Sequence, residues 1–295
     1  MLKEDKKLSV VLCTYNGSAY LKKQLNSILE QTYPIEEIII VDDCSTDLTK
    51  EILSQYQKNH QKIKIFFNEK NLGSNMSFKY AISLAGNEYI ALCDQDDIWF
   101  NNKLEIQMNY IINSGHHLDE KPLVVFHDLC LMDKDENVIN NSFWKLHNFK
   151  VHSFTFRKLL ISNIVTGCTC LINKSMKEEL IKCDMKDIFM HDYLIGLIGY
   201  GFGNFIPINQ QLMYFRSHSS SVTEKEKLTF LGRVKDFFNR IGNSAYLMPY
   251  ILQIETFNKF YGCKLNVETK KDVQQLIELK NKKIMDKIIY RWFLN

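Results

Sequence analysis

The sequence predicts an α/β protein: a doubly wound, Rossmann-like sheet followed by a C-terminal helical extension. Two observations carry this. Over the first hundred residues, short apolar runs alternate with stretches of helical period, the pattern of parallel strands covered by helices. Beyond residue 222 the apolar residues fall at helical spacing, as in Phe230, Leu231, Val234, Phe237, Phe238 and Ile241. With 295 residues, 45% of them hydrophobic and 24% charged, the chain can bury a sizeable core.

In order, Leu8 to Cys13 is a continuous apolar strand, and Tyr20 to Glu30 a helix with Leu21, Leu25, Ile28 and Leu29 on one face. Glu37 to Val41 is the second strand, after which Ser45 and Asp47 can cap the helix through Ile52 and Leu53. Ile63 to Phe67 is the third strand, Asn75 to Leu84 the third helix and Tyr89 to Cys93 the fourth strand. Leu123 to Met132 and Val165 to Ile172 are strand-like, and Asp133 to Asn137 is a turn. Met190 to Ile198 is helical, Gly203 to Phe215 extended, and Arg216 to Ser221 a polar loop.

Composition narrows the function classes. A formal net charge of +3 is too small to argue for nucleic acid. From Lys264 to Asn295 eight Lys or Arg face four Asp or Glu, so the C-terminus is the basic end. The eight cysteines include no CxxC pair and read as small buried hydrophobes of a reducing compartment, with Cys168 and Cys170 on the same face of a strand. Met1 to Lys7 is polar and no apolar window is long enough to span a bilayer, so the expected location is cytoplasmic, with peripheral contact at the inner face of the membrane open to the C-terminal helices.

In doubly wound sheets, ligands bind outside the carboxyl ends of the strands. The polar residues fall there: Thr14, Tyr15, Asn16 and Gly17 after the first strand, Asp42 and Asp43 after the second, Asn68 and Asn71 after the third, and Asp94, Gln95, Asp96 and Asp97 after the fourth. Three carboxylates within four residues repel one another unless a cation compensates, and oxygen ligands suit Mg2+ or Mn2+ bridging to a substrate diphosphate. The alternative is a solvated acidic turn capping the helix from Asn101. Asp43 could serve a ribose or base, or with Ser45 could only cap the next helix.

These segments together resemble glycosyltransferase family 2. LSVVLCTYNG (Leu8 to Gly17) is similar to the family's opening strand and nucleotide loop, IIIVDDCSTD (Ile38 to Asp47) to its second strand and turn, NLG (Asn71 to Gly73) to the next loop, and DQDDIW (Asp94 to Trp99) to its DxD segment in the rhamnosyltransferase-like form. The resemblance implies a GT-A fold with a mixed sheet. It divides the chain into a 1–222 catalytic domain, with a nucleotide-binding half (1–100) and an acceptor-side half (101–222), and a 223–295 helical region. It further implies that Thr14, Tyr15, Asn16, Asp43, Asn71, Asp94 and Gln95 bind the nucleotide sugar and that Asp96 binds the metal. His191 and Asp192 resemble the segment where the family keeps its catalytic carboxylate, written HD in the rhamnosyltransferase-like group, which makes Asp192 the general base. His218 resembles a late histidine that completes the metal site.

The function implied is inverting transfer of a sugar from dTDP-rhamnose or a UDP-sugar to a hydroxyl of a glycan or lipid-linked acceptor, as in bacterial surface polysaccharide synthesis. Two alternatives stay open: a catalytically inactive nucleotide-sugar-binding protein, and a haloacid-dehalogenase-type phosphatase, whose DxD usually opens the domain.

Overall fold

The computed structural model describes residues 6–116, 120–217 and 248–279. The predicted helix at Phe230 to Ile241, and His218, lie outside the described residues. The first half alternates as the periodicity requires: β1 (Leu8–Thr14), α1 (Leu21–Leu29), β2 (Glu37–Asp42), α2 (Thr49–Asn59), β3 (Ile63–Phe67), α3 (Ser74–Leu84) and β4 (Tyr89–Cys93). The second half adds β5 (Ile98–Trp99), α4 (Lys103–Ser114), β6 (Leu123–Met132), β7 (Val138–Asn140), the short α5 (Phe143–Leu146) and α6 (Phe156–Leu159), β8 (Leu171–Asn173), α7 (Lys174–Lys182), α8 (His191–Phe202) and β9 (Asn204–Arg216). Two further helices, α9 (Met248–Tyr261) and α10 (Val267–Leu279), follow.

The strands form one mixed sheet in the order β3-β2-β1-β4-β8-β6-β9-β5, with β7 paired to β6. β1 pairs in parallel with both β2 and β4, while β8 runs antiparallel to β4 and β6. Side chains alternate between two cores, as strand geometry dictates. Leu8, Val10 and Leu12 meet α1, α2 and α4 through Leu25, Leu53 and Met108. Val11, Ile39 and Leu92 meet α3, α8 and α9 through Phe78, Leu194 and Ile254.

One predicted strand is largely replaced. Of Val165 to Ile172 only the end joins β8; Gly167–Thr169 is a 3-10 turn in which the Thr166 carbonyl accepts from the amide and hydroxyl of Thr169. The turn places Cys168 in one core and Cys170 in the other, instead of on a common strand face. It also carries the Gly167 amide to the Asp192 carboxylate, 3.1 Å away, so local strand propensity yields to the site.

Candidate active site

The order β3-β2-β1-β4 sends the chain from β1 to one side and returns it beside β1 on the other. The loops after β1 and β4 therefore part at a topological switch point, the crevice where such sheets bind ligands. Cross-bonds hold its walls. The Gln95 amide pairs with the backbone of Tyr15, accepting from its N–H at 2.8 Å and donating to its carbonyl at 3.1 Å. Gly17 packs so closely on Gln95 that a Cβ would collide with that amide. The β1 loop is likewise sewn to the β2 loop: Asn16, at φ 50, donates its N–H to the Ser45 hydroxyl and accepts from the Thr46 N–H. Asp47 accepts from the amides of Ser18 and Thr49, so it serves the helix start as expected, whereas Ser45 turns back to Asp42.

Asp43 is not a cap of α2. Its carboxylate accepts from Asn68 Nδ2 and from the amides of Leu72 and Gly73, each at 2.8 Å, and so fixes the 68–73 loop at the crevice rim. Asn71 is exposed there and accepts from Gly73 N–H. Tyr15 is 45% exposed, a ring presented to solvent at the same rim. The Thr14 side chain is buried and its hydroxyl has no partner among the described residues.

The acidic turn is no solvated cap. Asp97 is fully buried, one oxygen accepting from the Arg216 N–H at 3.1 Å and the other without a hydrogen-bond partner among the described residues. Burial and the charges of Asp96 and Asp94 push its carboxyl well up. Asp94 and Asp96 are part-exposed at the rim. Asp94 is pushed up to about 7, by burial first and then by Asp96 and Asp192. Oxygens of Asp94 and Asp97 and the Cys168 sulfur lie within 4.8 Å of one another. Asp94 and Asp96 offer part-exposed carboxylate oxygens at the rim, the ligand type that a hard divalent cation takes.

Two cations that the sequence reading passed over already stand behind the turn. Lys103 is fully buried, donates to the Cys168 carbonyl at 2.7 Å and lies 3.4 Å from the Trp99 ring centroid. Burial brings its ammonium down to about 8. Arg216, buried at the end of β9, donates to the Asp96 carbonyl at 2.9 Å, pairs with Glu136 at 3.1 Å and sits over the Tyr20 ring. The thiols of Cys93, Cys168 and Cys170 are buried around this charge, and burial pushes each well up.

Asp192 lies across the crevice, close enough for its charge to act on Asp94. It is 6% exposed, and its carboxylate accepts from Asn163 Nδ2 at 3.1 Å and from the amides of Gly167 and Tyr193. His191 points elsewhere: its ring stacks on Phe78 with centroids 4.4 Å apart, its N–H donates to Asn75 Oδ1, and burial brings the imidazole down to about 4. The fold thus gathers Tyr15, Asn16, Asp43, Asn71, Asp94, Gln95, Asp96 and Asp192 at one crevice. The DxD turn stands after β4, not after the opening strand that the phosphatase alternative expects.

Residues 9–179 match Glycosyl transferase family 2. A Bacillus subtilis protein, TuaG, named as a teichuronic acid biosynthesis glycosyltransferase, is 39% identical over 105 residues, 36% of this chain and 42% of that protein. An uncharacterized glycosyltransferase of Methanocaldococcus jannaschii is 32% identical over 195 residues, 64% of this chain and 63% of its own length. The chain thus spans less than two thirds of either relative. Among solved structures, TarS of S. aureus in complex with UDP-GlcNAc superposes with a TM-score of 0.60 at 19% identity, covering 96% of this chain and 89% of that one. The mannosyltransferase PcManGT of Pyrobaculum calidifontis, in complex with GDP-Man and Mn2+, gives 0.57 at 15% identity, covering 99% and 89%. The match runs through β1 to β4 and the acidic turn and covers more than half of the sequence, so this chain belongs to glycosyl transferase family 2.

Proposed function

We propose that the protein is an inverting glycosyltransferase that moves a sugar from a nucleoside diphosphate donor to an acceptor hydroxyl. The observation that carries this reading is the meeting of Asp192 with the acidic turn across the switch-point crevice. Asn163 and the amides of Gly167 and Tyr193 hold Asp192, and Gly167 adjoins Cys168, whose sulfur lies within 4.8 Å of an Asp94 oxygen.

In the reaction, Tyr15, Asn16, Asp43 and Asn71 line the nucleotide side, and the Gln95 bridge to Tyr15 keeps that wall in register with the acidic turn. Asp94 contacts the donor sugar. A divalent cation, Mn2+ or Mg2+, held by Asp96 would neutralise charge on the departing diphosphate as a Lewis acid. Asp192 takes the proton from the attacking hydroxyl, a contribution of typically ~10²–10⁴-fold. Asn163 and the amides of Gly167 and Tyr193 aim its carboxylate.

The donors held by the structural neighbours are UDP-GlcNAc in TarS and GDP-Man in PcManGT. For this chain the rhamnosyltransferase-like form of the acidic turn favours dTDP-rhamnose or a UDP-sugar. The acceptor is a glycan or lipid-linked hydroxyl in surface polysaccharide synthesis, reached from the inner face of the membrane through the basic C-terminal residues. No helix among the described residues is long and apolar enough to cross a membrane.

Thermal stability against UDP-N-acetylglucosamine, UDP-glucose, dTDP-rhamnose and GDP-mannose, each with Mn2+ and with EDTA, tests the donor. A shift with one nucleotide class that requires metal is expected, since a ligand that binds only the folded state stabilises it by mass action. Absence of any shift would remove both the donor and the metal assignments. Asp192→Asn should then abolish turnover with the donor shift intact, whereas Asp96→Ala should lose the shift itself. A protein that shows the shift but never transfers or hydrolyses the donor is the inactive binder. Vesicles with anionic lipid should co-sediment with the protein at low salt and release it at high salt if the C-terminal helices bind membrane.

A further inference from the structure

The C-terminal helix α9 reaches the segment that carries the base. Gln253, fully buried on α9, grips the backbone of Met190 with both ends of its amide: Oε1 accepts from Met190 N–H at 2.9 Å, and Nε2 donates to the Met190 carbonyl at 3.0 Å. Met190 is the N-cap position of α8, two residues before Asp192. On the same helix the Tyr250 ring meets Phe189 at 5.8 Å and Tyr193 at 5.4 Å, so the residues flanking His191 and Asp192 both rest on it. Ile251, Ile254 and Phe257, all buried, anchor α9 in the core. From the opposite side, Asn75 on α3 donates to the Ile188 carbonyl at 2.6 Å and accepts from His191 N–H. The 188–192 segment is therefore held between α3 and α9. A buried side-chain amide left without its partner is costly, so Gln253 and Met190 tend to move together.

We infer that Gln253 is a positioning residue for Asp192, making α9 part of the catalytic apparatus and not merely a cover for the sheet. The inference rests on the general-base role proposed for Asp192. Its physical basis is that a displacement of about 1 Å in a reacting group can lower the rate by ~10²-fold. Both ends of the Gln253 amide bond to Met190, so the donor side, at the ends of β1, β2 and β4, should not feel its loss.

The test compares the parent, Gln253→Met, Gln253→Glu and Asp192→Asn, measuring nucleoside diphosphate release from whichever of UDP-N-acetylglucosamine, UDP-glucose, dTDP-rhamnose and GDP-mannose gives the largest thermal shift with Mn2+. Methionine keeps the length and packing of glutamine without donor or acceptor. Gln253→Met is expected to lower kcat about 10–100-fold with donor KM and thermal shift within about twofold of the parent. Gln253→Glu keeps an acceptor for Met190 N–H and should recover part of the loss. A kcat within about twofold of the parent in Gln253→Met, or a donor KM that worsens as much as kcat falls, would overturn the inference. If Gln253→Met does not fold, Gln253→Leu, which also lacks both hydrogen bonds, decides: a kcat equal to the parent's refutes positioning. Turnover that survives in Asp192→Asn would fell the base assignment and this inference together, while an inactive Asp192→Asn beside a fully active Gln253→Met fells this inference alone.

Discussion

At the crevice rim Asp94 sets burial against charge. Its folded pKa, about 7, lies above the roughly 3.9 of an unfolded Asp. The stability this contributes is full below the lower value and is lost as pH rises through the upper one. Metal-free protein should therefore lose stability between about pH 4 and pH 7. Asp94→Asn removes that loss, and calorimetry in EDTA at pH 8 should find its Tm higher by on the order of 3 °C, with the two proteins converging near pH 4. Lys103 acts in the opposite sense. Lys103→Met leaves the buried Cys168 carbonyl without its donor, which should lower the unfolding free energy by about 1–3 kcal/mol in urea titrations. The site carboxylates were legible in the sequence because strand ends in this topology face ligand. Lys103 was not, since a lysine one turn before Gln107 reads as surface; the clue was its place on the same helical stripe as Gln107 and Ile111, both buried. Arg216 was visible only as the start of a polar loop, and its burial depends on β9 meeting Asp97.

At the scale of elements, the loops after β1, β2 and β4 behave as one sewn sheet of backbone, because side-chain oxygens of Gln95, Ser45, Asp47 and Thr49 take the amides of residues 15 to 18. Gly17→Ala would drive a Cβ into the Gln95 amide and part the walls of the crevice. The expected outcome is donor KM raised by about tenfold with kcat less affected, read by steady-state kinetics. Gly167→Ala works from the other wall. Its Cβ would stand 2.9 Å from His191 Nε2, in a ring already stacked on Phe78, so kcat should fall with donor binding preserved. The alternating strands and helices of the first half follow the hydrophobic period closely. The Gly167–Thr169 turn broke the pattern because its apolar run is fully buried on both sides, and periodicity alone does not separate a buried strand from a buried turn.

For the whole molecule, α9 and α10 share one apolar core with α3 and α8. Arg157 pairs with Asp272 at 2.6 Å and Lys264 with Glu179 at 2.6 Å, both with a half-exposed cation, so each pair adds little. The apolar faces of α9 and α10, with Tyr250, Ile254, Phe257, Val273 and Leu276 buried, account for most of the attachment. A chain ending at residue 247 would open that face, and near-UV circular dichroism should show lost tertiary packing while the far-UV signal is largely kept. The thiols around the acidic turn lead to a different experiment. Cys93, Cys168 and Cys170 are buried and poor nucleophiles, whereas Cys263, just past α9, is exposed. An alkylating reagent should therefore modify Cys263 promptly and the other three only when the sheet opens. Read peptide by peptide in mass spectrometry, apart from the part-exposed Cys13 and Cys44, the rate of modification at Cys93, Cys168 and Cys170 becomes a clock for opening of the fold around the site, without any substrate in hand.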